Sequence, residues 1–264
     1  MRLMKTLCCL CLLLTMLPAL TARAADKPGR DVLYQVSTID ALIAGMYDGY
    51  TTLGELKKHG DIGIGTFDKL DGEMLMLDGV VYQIASDGSV HRQPNTMTTP
   101  FASVTPFDKD ITATIPKEMD FTALKDYVDR MLPSKNVFYA IRIDGTFSHV
   151  KTRSVPPQRK PYRKLTTVVE HQPEFEFANV KGAIVALRCP YYVKGVNVPG
   201  YHMHFITADR KRGGHVLDLT VKAGTVTIDT TGTLTLVLPN DKGFYQTDFE
   251  PSTQGSIEKV EQGK

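Results

Sequence analysis

The sequence has little excess charge of either sign, and this excludes a broad class of partners. Residues 1–24 contain three of the 31 basic side chains and none of the 29 acidic ones, so the remainder has a formal net charge of −1. Such a chain lacks the extended positive surface with which proteins bind nucleic acids or anionic lipids. We therefore expect neither nucleic acid nor membrane as a partner of the mature chain.

Cysteine is scarce in a way that excludes a disulfide framework. Three of the 4 cysteines, Cys8, Cys9 and Cys11, lie close to the start of the chain, and Cys189 is the fourth. A single thiol cannot form an internal disulfide, so an exported product must be stabilised by core packing or by a metal.

Long apolar runs are also few, and the one at the start is short. Residues 1–5 are basic, residues 6–20 are almost wholly apolar, and residues 21–24 supply the small-x-small pattern that signal peptidases accept. The run of about 15 residues is shorter than the roughly 20 that a membrane-spanning helix needs. We predict a signal peptide at residues 1–24 and export to the periplasm or the medium, with an uncleaved anchor as the alternative.

The rest of the chain alternates between helical and strand periodicity, which predicts a β-rich α/β (α+β) fold. Helices are predicted near 39–46, 52–60 and 121–131, and Asp-Gly pairs mark turns, among them Asp144-Gly145. The predicted strands are 32–36, 62–67, 73–77, 80–84, 89–92, 101–105, 111–115, 137–143, 146–152, 182–188, 201–207, 215–221, 226–229, 233–238 and 244–249.

The proline-rich, basic stretch 154–163 is the best candidate for a domain boundary. We predict an N-terminal α+β domain at 25–155, with a mixed sheet and short helices. A mostly antiparallel β domain at 156–264 is expected to carry a metal site.

Three histidines within fourteen residues indicate that metal site. His202 and His204 are two apart in a predicted strand and so point to the same face, while His215 begins the strand that returns after a polar, glycine-rich turn. Three imidazoles from adjacent strands suit Zn²⁺ with a fourth position left for water or substrate. The alternative is a set of ordinary histidines on a solvent-exposed face of a strand.

Several segments together resemble the α-acetolactate decarboxylase family, from about Leu33 to Glu261. They are 200–207 (GYHMHFIT), 213–215 (GGH), 59–67 (HGDIGIGTF), 70–73 (LDGE), 138–145 (FYAIRIDG) and 152–156 (TRSVP). The resemblance implies a two-domain α/β fold, a homodimer, one zinc ion and conversion of 2-acetolactate to acetoin and carbon dioxide.

The resemblance also implies roles for individual residues. His202, His204 and His215 become the zinc ligands, and Glu73, Arg153 and Glu261 become catalytic residues, with Glu258 as the alternative to Glu261. Thr66 is a candidate substrate-binding residue; packing of its β-branched side chain explains its position equally well.

The chemistry of a β-keto acid suits these side chains. A ketone oxygen bound to zinc would be an electron sink, because the metal would stabilise the negative charge on the enediolate oxygen left by loss of carbon dioxide. Arg153 can bind the substrate carboxylate through two parallel hydrogen bonds. Glu73 and Glu261 form the expected acid–base pair, and either can deliver the proton.

Two other functions fit the three histidines alone. One is an exported zinc hydrolase or hydratase, because a three-histidine zinc ion also generates hydroxide. The other is an exported metal carrier, which would need neither Glu73 nor Arg153.

Overall fold

A computed structural model describes residues 29–249 and 254–262 of the chain. The predicted signal peptide at residues 1–24 lies outside the described residues, so its cleavage stays a prediction. Among the residues described, no helix combines the length and the apolar character needed to cross a membrane.

The described residues form fifteen strands and six α-helices. The strands are β1 Val32–Val36, β2 Thr51–Thr52, β3 Ile62–Thr66, β4 Glu73–Leu77, β5 Val80–Ile84, β6 Val90–Arg92, β7 Thr98–Thr99, β8 Ala102–Thr105, β9 Ile111–Thr114, β10 Met119–Asp120, β11 Phe138–Arg153, β12 Glu174–Cys189, β13 Gly200–Thr207, β14 Gly213–Thr231 and β15 Thr233–Val237. The helices are α1 Ile39–Ile43, α2 Leu53–Leu56, α3 Phe121–Asp129, α4 Leu165–Val168, α5 Lys242–Gln246 and α6 Gln254–Gln262.

Seven strands form a mixed sheet in the order β15-β1-β8-β3-β4-β5-β6. β1 and β15 run parallel, and the other neighbours are antiparallel. Asp78 and Gly79, with φ of 51° and 72°, make the tight two-residue turn between β4 and β5 that an Asp-Gly pair predicts. The predicted β-rich fold with a mixed sheet and short helices is confirmed.

The second sheet is antiparallel throughout and closes on itself. Its order is β10-β14-β11-β12-β13, and β13 also pairs with β14, so four long strands enclose a core of their own. Leu124 and Val128 of α3 pack against that core. Cys189, the one cysteine among the described residues, ends β12 and is buried.

The hairpin predicted at Asp144-Gly145 is wrong, because β11 runs without a break from Phe138 to Arg153. Gly145 lies between Gly182 of β12 and Gly224 of β14. A Cβ at Gly145 would meet the Ala223 carbonyl oxygen at 2.5 Å, so the glycine permits a close approach of neighbouring backbones. The strands predicted at 215–221 and 226–229 are likewise one strand, β14.

The strand predicted at 244–249 is also wrong. Residues Lys242–Gln246 form α5 instead, because the Asp241 carboxylate accepts a hydrogen bond from the Phe244 backbone N–H at 2.9 Å and caps the helix.

Each of the two sheets combines strands from before and after residue 155. β11 ends at Arg153 and pairs with β12 and β14, which follow residue 155, whereas β15 joins the first sheet. Apolar side chains of both sheets share one buried cluster, including Leu75 of β4 and Ile206 of β13. The division at residue 155 stays a prediction; the packed faces of the two sheets hold the groups described next.

Candidate active site

The three histidines converge on the face of the second sheet that packs against the first. His202 and His204 share a face of β13, and His204 and His215 are Cα partners across β13 and β14. The Nε2 atoms of His202 and His204 are 3.2 Å apart, and one nitrogen from each of the three imidazoles lies within 4.8 Å of the others.

This donor set fits a metal ion. Two nitrogens that each lie 2.0–2.1 Å from a tetrahedral ion are separated by about 3.3 Å, close to the spacing found here. The Nδ1 of His204 donates to the Met74 carbonyl oxygen at 2.7 Å, which leaves the Nε2 lone pair free. The Nε2 of His215 donates to the Glu261 carbonyl oxygen at 2.9 Å, and its Nδ1 is buried with no hydrogen-bond partner.

Burial keeps these imidazoles neutral. It lowers the pKa of His204 to about 3 and the pKa values of His202 and His215 well below the ordinary value, and the nearby Arg153 guanidinium acts in the same direction. Neutral imidazoles are the form that binds a metal, so the site is competent to do so at neutral pH.

Arg153 lies beside the imidazoles and is 4% exposed. It is the Cα partner of His215, so His204, His215 and Arg153 follow one another across β13, β14 and β11. Its Nη1 donates to Glu73 Oε1 and its Nη2 to the Val260 carbonyl oxygen at 3.0 Å, while its Nε is buried without a partner.

Glu73 begins β4, is 5% exposed and lies beside the Arg153 guanidinium. Its Oε2 is 3.4 Å from His204 Nε2. Burial raises the pKa of Glu73, and the Arg153 guanidinium opposes that rise. Glu73 therefore links the first sheet to the imidazoles of the second.

Glu261 reaches the same imidazoles from α6. Its Oε2 is 3.6 Å from His202 Nε2 and has no hydrogen-bond partner. Burial raises the pKa of Glu261 to about 8; Arg153 lowers it and Glu73 raises it. Glu258, the alternative to Glu261 in the sequence, is exposed.

Thr66 is close to the site, but its hydroxyl already has a partner. Thr66 and Glu73 are Cα partners, and the Thr66 Oγ1 donates to the Gly72 carbonyl oxygen at 2.8 Å. That bond holds the turn before Glu73, and a contact between Thr66 and substrate stays a prediction.

Two openings adjoin these groups. A small cavity of about 30 Å³ is bounded by Glu73, Arg153, His202 and Glu261 together with apolar side chains. A groove of about 740 Å³ lies where β13 and β14 separate, and His215 and Glu261 are among the residues that line it. The candidate site therefore adjoins both openings.

Sequence reasoning missed two kinds of contributor. The carbonyl groups of Met74 and Val260 bind His204 and Arg153, and a backbone carbonyl leaves no signal in the residue type. The apolar side chains around the small cavity come from segments more than 200 residues apart, such as Ile39 and Val260. Their apolar periodicity indicates burial only.

Comparisons of the sequence and of the structure with known proteins all identify one family. The sequence model of the alpha-acetolactate decarboxylase family matches residues 33–251. The chain is 53% identical to the alpha-acetolactate decarboxylase of Methanosarcina mazei over 88% of this chain and 80% of that protein. It is 45% identical to that of Methylococcus capsulatus, over 87% and 88%. The crystal structure of alpha-acetolactate decarboxylase from Bacillus subtilis strain 168 superposes with a TM-score of 0.85 at 44% identity, covering 87% of this chain and 99% of that one.

Proposed function

The chain belongs to the alpha-acetolactate decarboxylase family, and on that premise we propose that it converts 2-acetolactate to acetoin and carbon dioxide with a bound zinc ion. It is an enzyme of the lyase class. The observation that carries the proposed mechanism is the convergence of three imidazoles, the Arg153–Glu73 pair and the Glu261 carboxyl in one buried site.

His202, His204 and His215 would hold the zinc ion. When bound, zinc supplies a Lewis acid that accepts electron density as the carbon–carbon bond breaks. All three ligands are neutral and buried, so the full charge of the ion would act on the substrate.

Arg153 supplies the cation for the substrate carboxylate. Its guanidinium is already held by Glu73 and by the Val260 carbonyl group, so little ordering is needed when substrate arrives. The buried Nε without a partner offers a further donor. Arginine can meet a carboxylate with two parallel hydrogen bonds, which lysine cannot reproduce.

Glu73 and Glu261 hold and move the proton that replaces the lost carbon dioxide. Burial raises the pKa of both carboxyls, that of Glu261 to about 8, so this pair carries a proton at neutral pH.

We extend the proposal to location and assembly. Residues 1–24 begin with a basic segment, continue with an apolar run and end with small residues. This order supports export to the periplasm or the medium. The family resemblance supports a homodimer as the working assembly.

The direct test measures acetoin formed from racemic 2-acetolactate by the purified protein. We expect activity that disappears after dialysis against a strong chelator and returns with one equivalent of Zn²⁺, and we expect His202→Ala to stay inactive after that addition. His91→Ala, which changes an exposed histidine, is the control. Ester hydrolysis or carbon dioxide hydration without acetoin would instead support a zinc hydrolase or hydratase, and exchangeable zinc without turnover would support a carrier.

A further inference from the structure

The small cavity beside Arg153 and Glu261 has two chemically different sides. One side carries the ionisable groups of the proposed mechanism, namely Glu73, Arg153, His202 and Glu261. The rest of its lining, called here the apolar side, includes seven apolar residues: Ile39, Leu42, Leu70, Phe101, Val155, Leu165 and Val260. A cavity lined by both kinds of side chain suits a ligand with a charged end and an apolar end.

The apolar side is rigidly built. All seven side chains belong to one buried cluster, to which the short helices α1, α4 and α6 each contribute. Ile39 and Leu165 are 2% exposed, and interiors of this kind do not yield to an extra methylene without strain. The cavity therefore has a fixed size, about 30 Å³, which holds roughly two water-sized groups.

The proposed substrate also has a charged part and apolar parts, which match the two kinds of side chain that line the cavity. 2-Acetolactate carries a carboxylate and a hydroxyl on one carbon, and its only apolar parts are two methyl groups, one on that carbon and one on the ketone. With the carboxylate at Arg153, a methyl group is directed to the apolar side of the cavity. Either methyl group fits there, whereas a longer alkyl chain would meet Leu165 or Ile39.

We propose that this apolar side, with Leu165 and Ile39 as its main determinants, limits the length of one alkyl group of the substrate. The side chains of Leu165 and Ile39 can neither bind a metal ion nor carry a proton, so they act on selectivity between homologous 2-hydroxy-3-keto acids. The inference rests on the proposed function, because it concerns the same site and the same reaction.

The test compares kcat/KM for 2-acetolactate with that for two homologues, each longer by one methylene. One homologue has an ethyl group on the hydroxyl-bearing carbon, and the other has an ethyl ketone. We expect the wild-type enzyme to prefer 2-acetolactate over at least one of them by tenfold or more, since one methylene in an apolar pocket changes kcat/KM by about 10- to 200-fold. In Leu165→Ala that preference should fall at least tenfold.

Matched variants separate selectivity from damage to the fold. Leu56→Ala removes a leucine that is also buried but belongs to a different cluster, and it should leave the preference unchanged. Leu165→Val and Ile39→Val are milder and should reduce the preference by smaller factors, which keeps the test decisive if Leu165→Ala does not fold. Zinc content is measured for every variant.

The proposal and the function on which it rests fail in different ways. Equal kcat/KM of the wild type for all three substrates, or preferences within threefold of wild type in Leu165→Ala and both milder variants, would overturn the size limit. Absence of carbon dioxide from all three substrates with zinc-loaded wild type would overturn the proposed function.

Discussion

Glu258 and Glu261 lie on one helix, three positions apart, but only one of them is in the site. Glu261 is buried with its Oε2 at 3.6 Å from His202 Nε2, whereas Glu258 is exposed. In the sequence, either residue could be the catalytic glutamate near the C-terminus, and neither periodicity nor residue type distinguishes them. Burial distinguishes them, because it raises the pKa of Glu261 to about 8 and so provides a proton donor.

We predict that Glu261→Gln lowers kcat by a factor of about 10²–10⁴, the usual contribution of a positioned acid or base, while zinc content stays at one per chain. Glutamine preserves the shape of the side chain but cannot release a proton. Glu258→Gln is the matched control and should remain within about twofold of wild type. Near-wild-type kcat for Glu261→Gln with zinc bound would exclude Glu261 as the acid.

A second residue-scale prediction concerns Asp229, which lies outside the site. Asp229 is 0% exposed. Burial, reinforced by Asp110 and opposed by a hydrogen bond with the Asp108 backbone, raises the pKa of Asp229 to about 8. Between about pH 4 and pH 8 the unfolded chain loses this proton while the folded chain keeps it, so stability falls as pH rises through that window.

Asp229→Asn should remove this dependence. We expect the variant to exceed wild type in free energy of unfolding, by a margin that grows by about 1 kcal/mol per pH unit between pH 5 and pH 8. Urea unfolding at four pH values measures the margin, and Asp126→Asn, at an exposed position, serves as the control. A margin that is constant or shrinks over the same pH range would contradict the assignment.

At the scale of elements, the same dipeptide has opposite outcomes at two places in the chain. Asp78-Gly79 makes a turn with two positive φ angles, whereas Asp144-Gly145 continues a strand. The difference comes from Gly182 and Gly224, which lie on either side of Gly145 in the neighbouring strands. An Asp-Gly pair by itself predicts a turn. At Gly145 the close approach of the neighbouring strands depends on residues more than 35 positions away, so the local pattern there predicts a turn where the chain continues as a strand.

The last helix shows the same dependence on distant partners. α6 has nine residues, too few for a helix that is stable by itself in water. Ile257 and Val260 pack into the cluster that also contains Leu165, and Lys259 pairs with Glu170 at 2.6 Å. Packing therefore forms the helix, and the same packing places Glu261 next to His202.

At the scale of the whole molecule, the site is assembled from both sheets. The three histidines follow from local strand periodicity, and their spacing alone predicts that they converge as metal ligands. Glu73 and Arg153 are 80 residues apart, and only the family resemblance identifies them from the sequence. No periodicity predicts their pairing, because it depends on how the first sheet packs against the second.

Export is the prediction that belongs to the molecule as a whole. We expect the protein secreted by a bacterial host to have the intact mass of a chain that begins at Ala25, because the signal peptidase requires small residues such as Ala22 and Ala24 before the cut. Ala24→Tyr should leave an uncleaved, cell-associated precursor. Full-length protein recovered from the cytosol in both cases would contradict export.

Light scattering on the secreted product measures its mass in solution and so tests the proposed homodimer.

Cys189 has a practical consequence for handling the enzyme. Burial raises the pKa of its thiol to about 12, so at neutral pH hardly any thiolate is available for air oxidation or alkylation. Purification can therefore omit dithiothreitol and similar reductants, which themselves bind zinc. For a chain that begins at Ala25, iodoacetamide should likewise leave the folded enzyme untouched, and labelling should begin only when denaturant exposes the end of β12, making this thiol a reporter of unfolding.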